Sequence, residues 1–109
     1  VLRGGRGLTN YDELSIQHAA QSLSDSGLCA AIMVDCSHDN ACKQAERQVN
    51  VAREVMRQKR TGSAGIRGLM LESFLEAGRQ DDGDDLRYGC SITDPCLSWS
   101  QTEALLRSL

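Results

Sequence analysis

Ala31-Ile32-Met33-Val34 is an apolar run of four residues that stops abruptly on Asp35-Cys36-Ser37-His38. Isoleucine, methionine and valine in succession favour a buried strand packed on both faces. That strand delivers Asp35, Ser37 and His38 at its carboxyl end, and a helical pattern follows. Parallel α/β barrels and doubly wound sheets build their sites from such strand ends. What the rest of the chain must supply is further strands that bring matching groups to the same rim.

Upstream, Val1-Leu2 reads as the tail of a strand and is followed by Arg3-Gly4-Gly5-Arg6-Gly7. Glycines let backbone amides approach a ligand closely, and the planar fork of arginine matches phosphate or carboxylate oxygens. Taken alone the same turn also reads as a plain loop. A helix is predicted over Asn10 to Ser26, with Asn10 and Glu13 as the cap, Ile16, Ala19, Ala20 and Leu23 as the buried face, and Gly27 as the stop. His18 lies off that stripe and reads as solvated.

Downstream of His38, Asp39 or Asn40 can cap a second helix running to about Arg60, with Ala45, Val49, Ala52 and Met56 on its buried face. Arg57, Lys59 and Arg60 fall in its last turn, where cations suit the helix dipole. A third strand is predicted over Ile66–Glu72, again ending on an ionisable group. The acidic run Asp81-Asp82-Gly83-Asp84-Asp85 lacks the ligand spacing of a calcium loop and reads as a solvated surface. Asp94 precedes Pro95, which holds it in an extended or turn geometry, and Ser100 with Glu103 forms a capping box for a last helix.

Arg3, His38 and Glu72 recur at intervals of 35 and 34 residues, about one strand–helix unit each. Right-handed crossovers point the carboxyl ends of parallel strands the same way. The spacing therefore gathers these three residues on one rim, and the loop bearing Asp94 leaves from that rim. With 109 residues the chain has the size of one domain. Its net charge of −3, with both signs interspersed, argues against a nucleic-acid surface. No apolar run has the length of a membrane span, and five cysteines without framework spacing favour a reducing cytoplasm. The chain begins at Val1 and stops inside a helical pattern, so a piece of a longer protein is expected.

A histidine and two carboxylates beside an arginine suit a divalent first-row metal, and three protein ligands leave a position open for substrate. Such an ion polarises a carbonyl oxygen as a Lewis acid. Arg3 and its glycine amides would hold a phosphorylated anion nearby. From pattern alone, the alternative that these are separate solvated groups on loops stands beside this one.

Leu2-Arg3-Gly4-Gly5, Asn10-Tyr11, Asp35-Cys36-Ser37-His38-Asp39-Asn40 with Lys43-Gln44, Glu72-Ser73 with Glu76-Ala77-Gly78, and Ser91-Ile92-Thr93-Asp94 occur in this order. The set resembles the carboxyl-terminal part of the type I 3-deoxy-D-arabino-heptulosonate 7-phosphate (DAHP) synthases, the phospho-2-dehydro-3-deoxyheptonate aldolases, across nearly the whole chain. The resemblance implies an α/β fold in which residues 1–109 are the C-terminal portion, about three strand–helix units, of a single (β/α)8 TIM barrel. It implies condensation of phosphoenolpyruvate with erythrose 4-phosphate, the first step of the shikimate route. Arg3 corresponds to the arginine that contacts the phosphate of phosphoenolpyruvate. His38 corresponds to the metal-binding histidine at the catalytic centre, beside the same substrate. Glu72 and Asp94 correspond to two further metal ligands, Asp94 also facing erythrose 4-phosphate. One divalent ion of the Mn, Fe, Co or Zn class is implied, as are a homo-oligomer in full-length form and no nucleic-acid or membrane partner.

The chain departs from the family where Cys36 replaces a common phenylalanine, Cys90 a lysine and Phe74 a histidine. The family's fourth metal ligand, a cysteine, and its lysine- and arginine-rich substrate segments belong to earlier strands. About three-eighths of a barrel leaves two sheet edges open and one sheet face without the opposite strands, so the isolated fragment is expected to be inactive and poorly folded. The alternatives are a truncated relic or metal-binding or interaction module derived from such a barrel, and a related synthase using another sugar phosphate.

Overall fold

The computed structural model describes residues 1–63 and 65–109. Helix α1 (Glu13–Asp25) leads into strand β1 (Ile32–Asp35), a 3-10 turn (His38–Ala41), helix α2 (Arg47–Arg60) and strand β2 (Ile66–Met70). Two short strands, β3 (Ser73–Phe74) and β4 (Leu97–Ser98), precede helix α3 (Trp99–Ser108). Strands β1 and β2 pair in parallel, as do β3 and β4, and Leu2 forms a parallel bridge to Val34 on the other side of β1. Leu2, β1 and β2 are thus adjacent in space in chain order, with α1 and α2 as the crossovers. This is the expected parallel α/β arrangement. Among the described residues, no helix is long and apolar enough to cross a membrane.

One face of β1 and β2 carries the core. Ile32, Val34, Cys36 and Ile66 pack with Ile16 of α1 and with Val51, Ala52 and Val55 of α2, and the cluster extends to Leu97 and Leu105. Burial of this continuous apolar surface is what holds the helices on the sheet. The other face is less covered. Met33 is 43% exposed while Asp35 on the same face is buried, so the apolar packing of β1 lies on one face and not on both as its composition predicts.

Several boundaries differ from the sequence reading. Helix α1 is capped by Asp12, whose carboxylate accepts from the backbone N–H of Ser15, because Asn10 is engaged elsewhere. The hydrogen bonds from Asp12's neighbour Ser15 also hold that carboxyl below its usual range. Gly27 does end the helix. At φ +72° it allows Leu28 N–H to reach Leu23 C=O and Gly27 N–H to reach Ser24 C=O, the paired bonds of a left-handed stop.

Helix α2 starts at Arg47 and not at Asp39 or Asn40, since the left-handed residues Cys42 and Lys43 break the chain after the 3-10 turn. Its buried face is Gln48, Val51, Ala52, Val55 and Gln58, while Val49 and Met56 are only half-buried. Strand β2 ends at Met70, two residues before Glu72. The final capping box is Ser98 with Gln101, which places the start of α3 two residues before the one predicted from Ser100 and Glu103.

Candidate functional site

The carboxyl end of β1 turns sharply at His38, whose φ of +49° lies in the left-handed region that a non-glycine residue occupies at a cost of about 1–2 kcal/mol. Strained positions of this kind gather where a side chain must be aimed. Four contacts hold the turn. The buried Asp35 carboxylate accepts from Ser37 N–H through Oδ1 (2.8 Å). Its Oδ2 lies 2.7 Å from Nδ1 of His38, a short electrostatic contact although the ring nitrogen finds no well-directed hydrogen-bond partner. The buried Asn40 side chain donates to the carbonyls of Asp35 (2.9 Å) and Leu2 (3.2 Å).

The glycine loop is fastened to this turn. Asn10 N–H donates to Asn40 Oδ1 (2.8 Å), and Asn10 Oδ1 accepts from Gly4 N–H (2.7 Å). Gly4 sits at φ +73°, and a Cβ there would stand 2.8 Å from Asp39 Cβ and 2.7 Å from the Leu8 carbonyl oxygen. No other residue fits without moving one loop off the other. Arg3 is thereby set beside the His38 turn.

The imidazole projects Nε2 toward two carboxylates. Glu72 Oε1 is 3.9 Å away and Asp94 Oδ2 is 3.8 Å away. One donor atom from each of His38, Glu72 and Asp94 lies within 4.8 Å of the others. Among the described residues this is the one such group of three. His38 and Glu72 are partly buried, with side chains 21% and 29% exposed, whereas Asp94 is 55% exposed on its loop.

Three of the residues named from sequence, His38, Glu72 and Asp94, therefore meet. Arg3, His38 and Asp94 line one cavity of about 480 Å³, to which Lys43 and Arg79 add two further cations. Glu72 faces a neighbouring, larger and more apolar cavity of about 660 Å³ lined by Phe74, Leu86, Tyr88 and Ile92. The smaller cavity is the one where charge, imidazole and carboxylate coincide.

The donor set fits a divalent ion. Ligand atoms about 2.1 Å from one ion stand roughly 3–3.5 Å from each other, so closing the 3.8 and 3.9 Å separations from His38 Nε2 takes only side-chain adjustment. The carboxylate at Nδ1 leaves Nε2 as the free donor, the arrangement that orients metal-binding histidines. Among the described residues the group of donor atoms is His38, Glu72 and Asp94, with no cysteine in it. Burial, reinforced by the adjacent Asp35 charge, pushes the Cys36 thiol up to about 12, and burial also raises Cys96.

Sequence reading missed Asp35 as a partner of His38, Asn10 and Asn40 as the link between loops, and Lys43 and Arg79 as cavity residues. It also missed Gln48. That residue was detectable as a polar side chain spaced three, four and seven residues from Val51, Ala52 and Val55.

The chain is similar to proteins of one known family. Residues 1–107 match the model of the DAHP synthetase I family. The chain is 46% identical over 111 residues to the Trp-sensitive phospho-2-dehydro-3-deoxyheptonate aldolase of Enterobacter agglomerans, covering all of this chain and 32% of that protein. It is 40% identical over 118 residues to the phenylalanine-inhibited enzyme of Saccharomyces cerevisiae, again with full coverage of this chain and 32% of the relative. The solved phospho-2-dehydro-3-deoxyheptonate aldolase of Francisella tularensis superposes with a TM-score of 0.91 at 32% identity, over 96% of this chain and 31% of that one. The chain thus spans about a third of the length of the curated relatives it matches. With the match running from the Arg3 loop to the last turn of α3, the chain belongs to the DAHP synthetase I family.

Proposed function

We propose that residues 1–109 are the C-terminal portion of a (β/α)8 barrel in an enzyme that condenses phosphoenolpyruvate with erythrose 4-phosphate and water, releasing phosphate and forming DAHP. The observation that carries this reading is the meeting of His38, Glu72 and Asp94 within 4.8 Å, on three separate segments, beside Arg3. The parallel order of Leu2, β1 and β2, with helices as crossovers, is that of consecutive strands in such a barrel.

Each residue has a role in the chemistry. Arg3 binds the phosphate of phosphoenolpyruvate, with Lys43 and Arg79 lowering the cost of bringing two anions into one cavity. His38 Nε2, Glu72 and Asp94 would hold a divalent ion, which supplies Lewis-acid polarisation of the aldehyde oxygen when bound. Asp35 holds His38 in the orientation that keeps Nε2 facing the carboxylates. Asp94, on an exposed loop, also orients erythrose 4-phosphate over the reacting carbon of phosphoenolpyruvate. In full-length form the enzyme is a cytoplasmic homo-oligomer on this reading.

The test is turnover by the whole protein that carries this sequence. It should consume phosphoenolpyruvate, release phosphate and yield the seven-carbon product with erythrose 4-phosphate. Arg3→Ala should raise KM for phosphoenolpyruvate, and His38→Ala should abolish turnover. Turnover with a different aldose phosphate, and none with erythrose 4-phosphate, would move the assignment to a related synthase. A folded protein inert toward both would overturn it.

A further inference from the structure

We propose that Gln48 is a positioning residue that fixes Glu72 against His38 and so sets the affinity and ligand geometry of the metal site. The inference rests on the reading of His38, Glu72 and Asp94 as metal ligands. Gln48 is fully buried on α2. A primary amide in that position is unfavourable unless its donor and acceptor are both satisfied. Both find a partner, and on the backbone of a single residue. Gln48 Oε1 accepts from Glu72 N–H (2.8 Å), and Gln48 Nε2 donates to Glu72 C=O (3.1 Å).

The location explains why an amide is needed. Pairing of β2 with β1 runs out at Met70, whose carbonyl accepts from Cys36 N–H (2.9 Å). The β3–β4 pair begins at Ser73, and Leu97 N–H reaches the Glu72 carbonyl (3.0 Å). Glu72 sits at the joint between two short sheets, where its N–H has no strand beside it. The Gln48 side chain stands in for that strand, presenting one acceptor and one donor at the spacing of a peptide group.

Two contacts to one residue's backbone restrain its φ and ψ together, and hence the direction of its Cα–Cβ bond. The helix that supplies the restraint is the one that follows the His38 turn. Gln48 therefore ties two of the three donor-bearing segments to one another, and removing it frees Glu72 to move away from Nε2. Partners of this kind, one step behind the ligand, change metal affinity by about 10- to 100-fold when lost.

The experiment uses the whole protein, stripped of metal by chelation and titrated with Co2+, with the visible d–d absorption reporting ligand geometry. Parent, Glu72→Gln, Gln48→Met and Gln48→Glu are compared, each first shown by thermal melting to be folded at the assay temperature. Gln48→Met, which keeps the volume and loses both hydrogen bonds, is expected to bind Co2+ at least about tenfold more weakly, with a shifted absorption envelope. A residue that only stabilised the fold would lower Tm and leave the affinity and the band unchanged. Parental affinity and spectrum in folded Gln48→Met would overturn the inference while leaving the metal site intact. Absence of Co2+ uptake by the parent, or uptake indifferent to Glu72→Gln, would instead overturn the metal-site reading beneath it. Should Gln48→Met fail to fold, Gln48→Glu decides. It retains the acceptor for Glu72 N–H but opposes the carbonyl, so weakened binding supports the inference and parental binding overturns it.

Discussion

Replacing Asp35 by asparagine tests the geometry of the His38 turn by exchanging one carboxylate oxygen for NH2, with almost no change of shape. The buried carboxylate serves two groups at once, accepting from Ser37 N–H through Oδ1 (2.8 Å) and facing His38 Nδ1 through Oδ2 (2.7 Å). Both positions call for an acceptor, and asparagine offers one oxygen and one NH2. If the oxygen stays with Ser37, the NH2 meets Nδ1 and favours the tautomer with the proton on Nε2, which cannot then donate a lone pair. If the amide flips, two donors confront each other at Ser37. The second arrangement leaves one buried mismatched pair, worth about 1–3 kcal/mol of stability. The first lowers metal affinity by about 10- to 100-fold, or about 1.4–2.7 kcal/mol. Titration of metal-free parent and Asp35→Asn protein with Mn2+, alongside denaturant melts, separates the two outcomes. A variant that matches the parent in both affinity (within threefold) and stability would refute the assigned role of Asp35.

Three further outcomes are expected. Gly4→Ala should destabilise the protein by at least about 1 kcal/mol, since the new methyl meets Leu8 and Asp39 at a positive φ, and denaturant unfolding that leaves the midpoint unmoved would contradict it. Hydrogen bonds from Arg57 first, then Gln58, hold Glu54 down at about 2 against an ordinary 4.5. A depressed carboxyl contributes its stability above the unfolded value and loses it as pH falls toward the folded one. The stability gap between parent and Glu54→Gln should therefore be full above about pH 4.5 and close toward pH 2, shrinking further with salt because the pair is half-exposed; a gap independent of pH would count against the pairing. Finally, maleimide at neutral pH followed by peptide mass spectrometry should mark Cys29 and Cys42 on the surface and spare buried Cys36, whose thiol is pushed up to about 12. Equal labelling of Cys36 and Cys29 in the folded protein would show that the β1 core is open.

Some local signals have more than one solution, and packing chose between them. Asn10 and Asp12 are both good helix caps; Asn10 is drawn away by Gly4 and Asn40, and Asp12 caps instead. Ser98/Gln101 and Ser100/Glu103 both fit the capping pattern, and pairing of Leu97–Ser98 with Ser73–Phe74 selected the first. The phase of α2 was misread because two of its five buried residues are glutamines. An amide on an apolar face is interpretable only with its partner known, and the partners are Glu72, 24 residues on, and the carbonyl of Tyr11. Strands of two residues such as β3 and β4 are too short to leave any periodicity.

The chemistry of the site was already written in the chain. Arg3, His38 and Glu72 recur at the length of a strand–helix unit, and hydrophobic patterning with parallel crossover geometry is enough to put such residues on one rim. Their separations and their support were not. Asp94 arrives on a long loop whose path no local propensity dictates, and it comes within 3.8 Å of His38 only because the segment returns to pair at Leu97. Asp35, Asn40 and Gln48 gain their roles from contacts between distant segments, where the cost of burying a polar group demands a specific partner. Local sequence sets which groups are available and roughly where they emerge; desolvation and packing in the folded chain decide which of them are held close enough to act together.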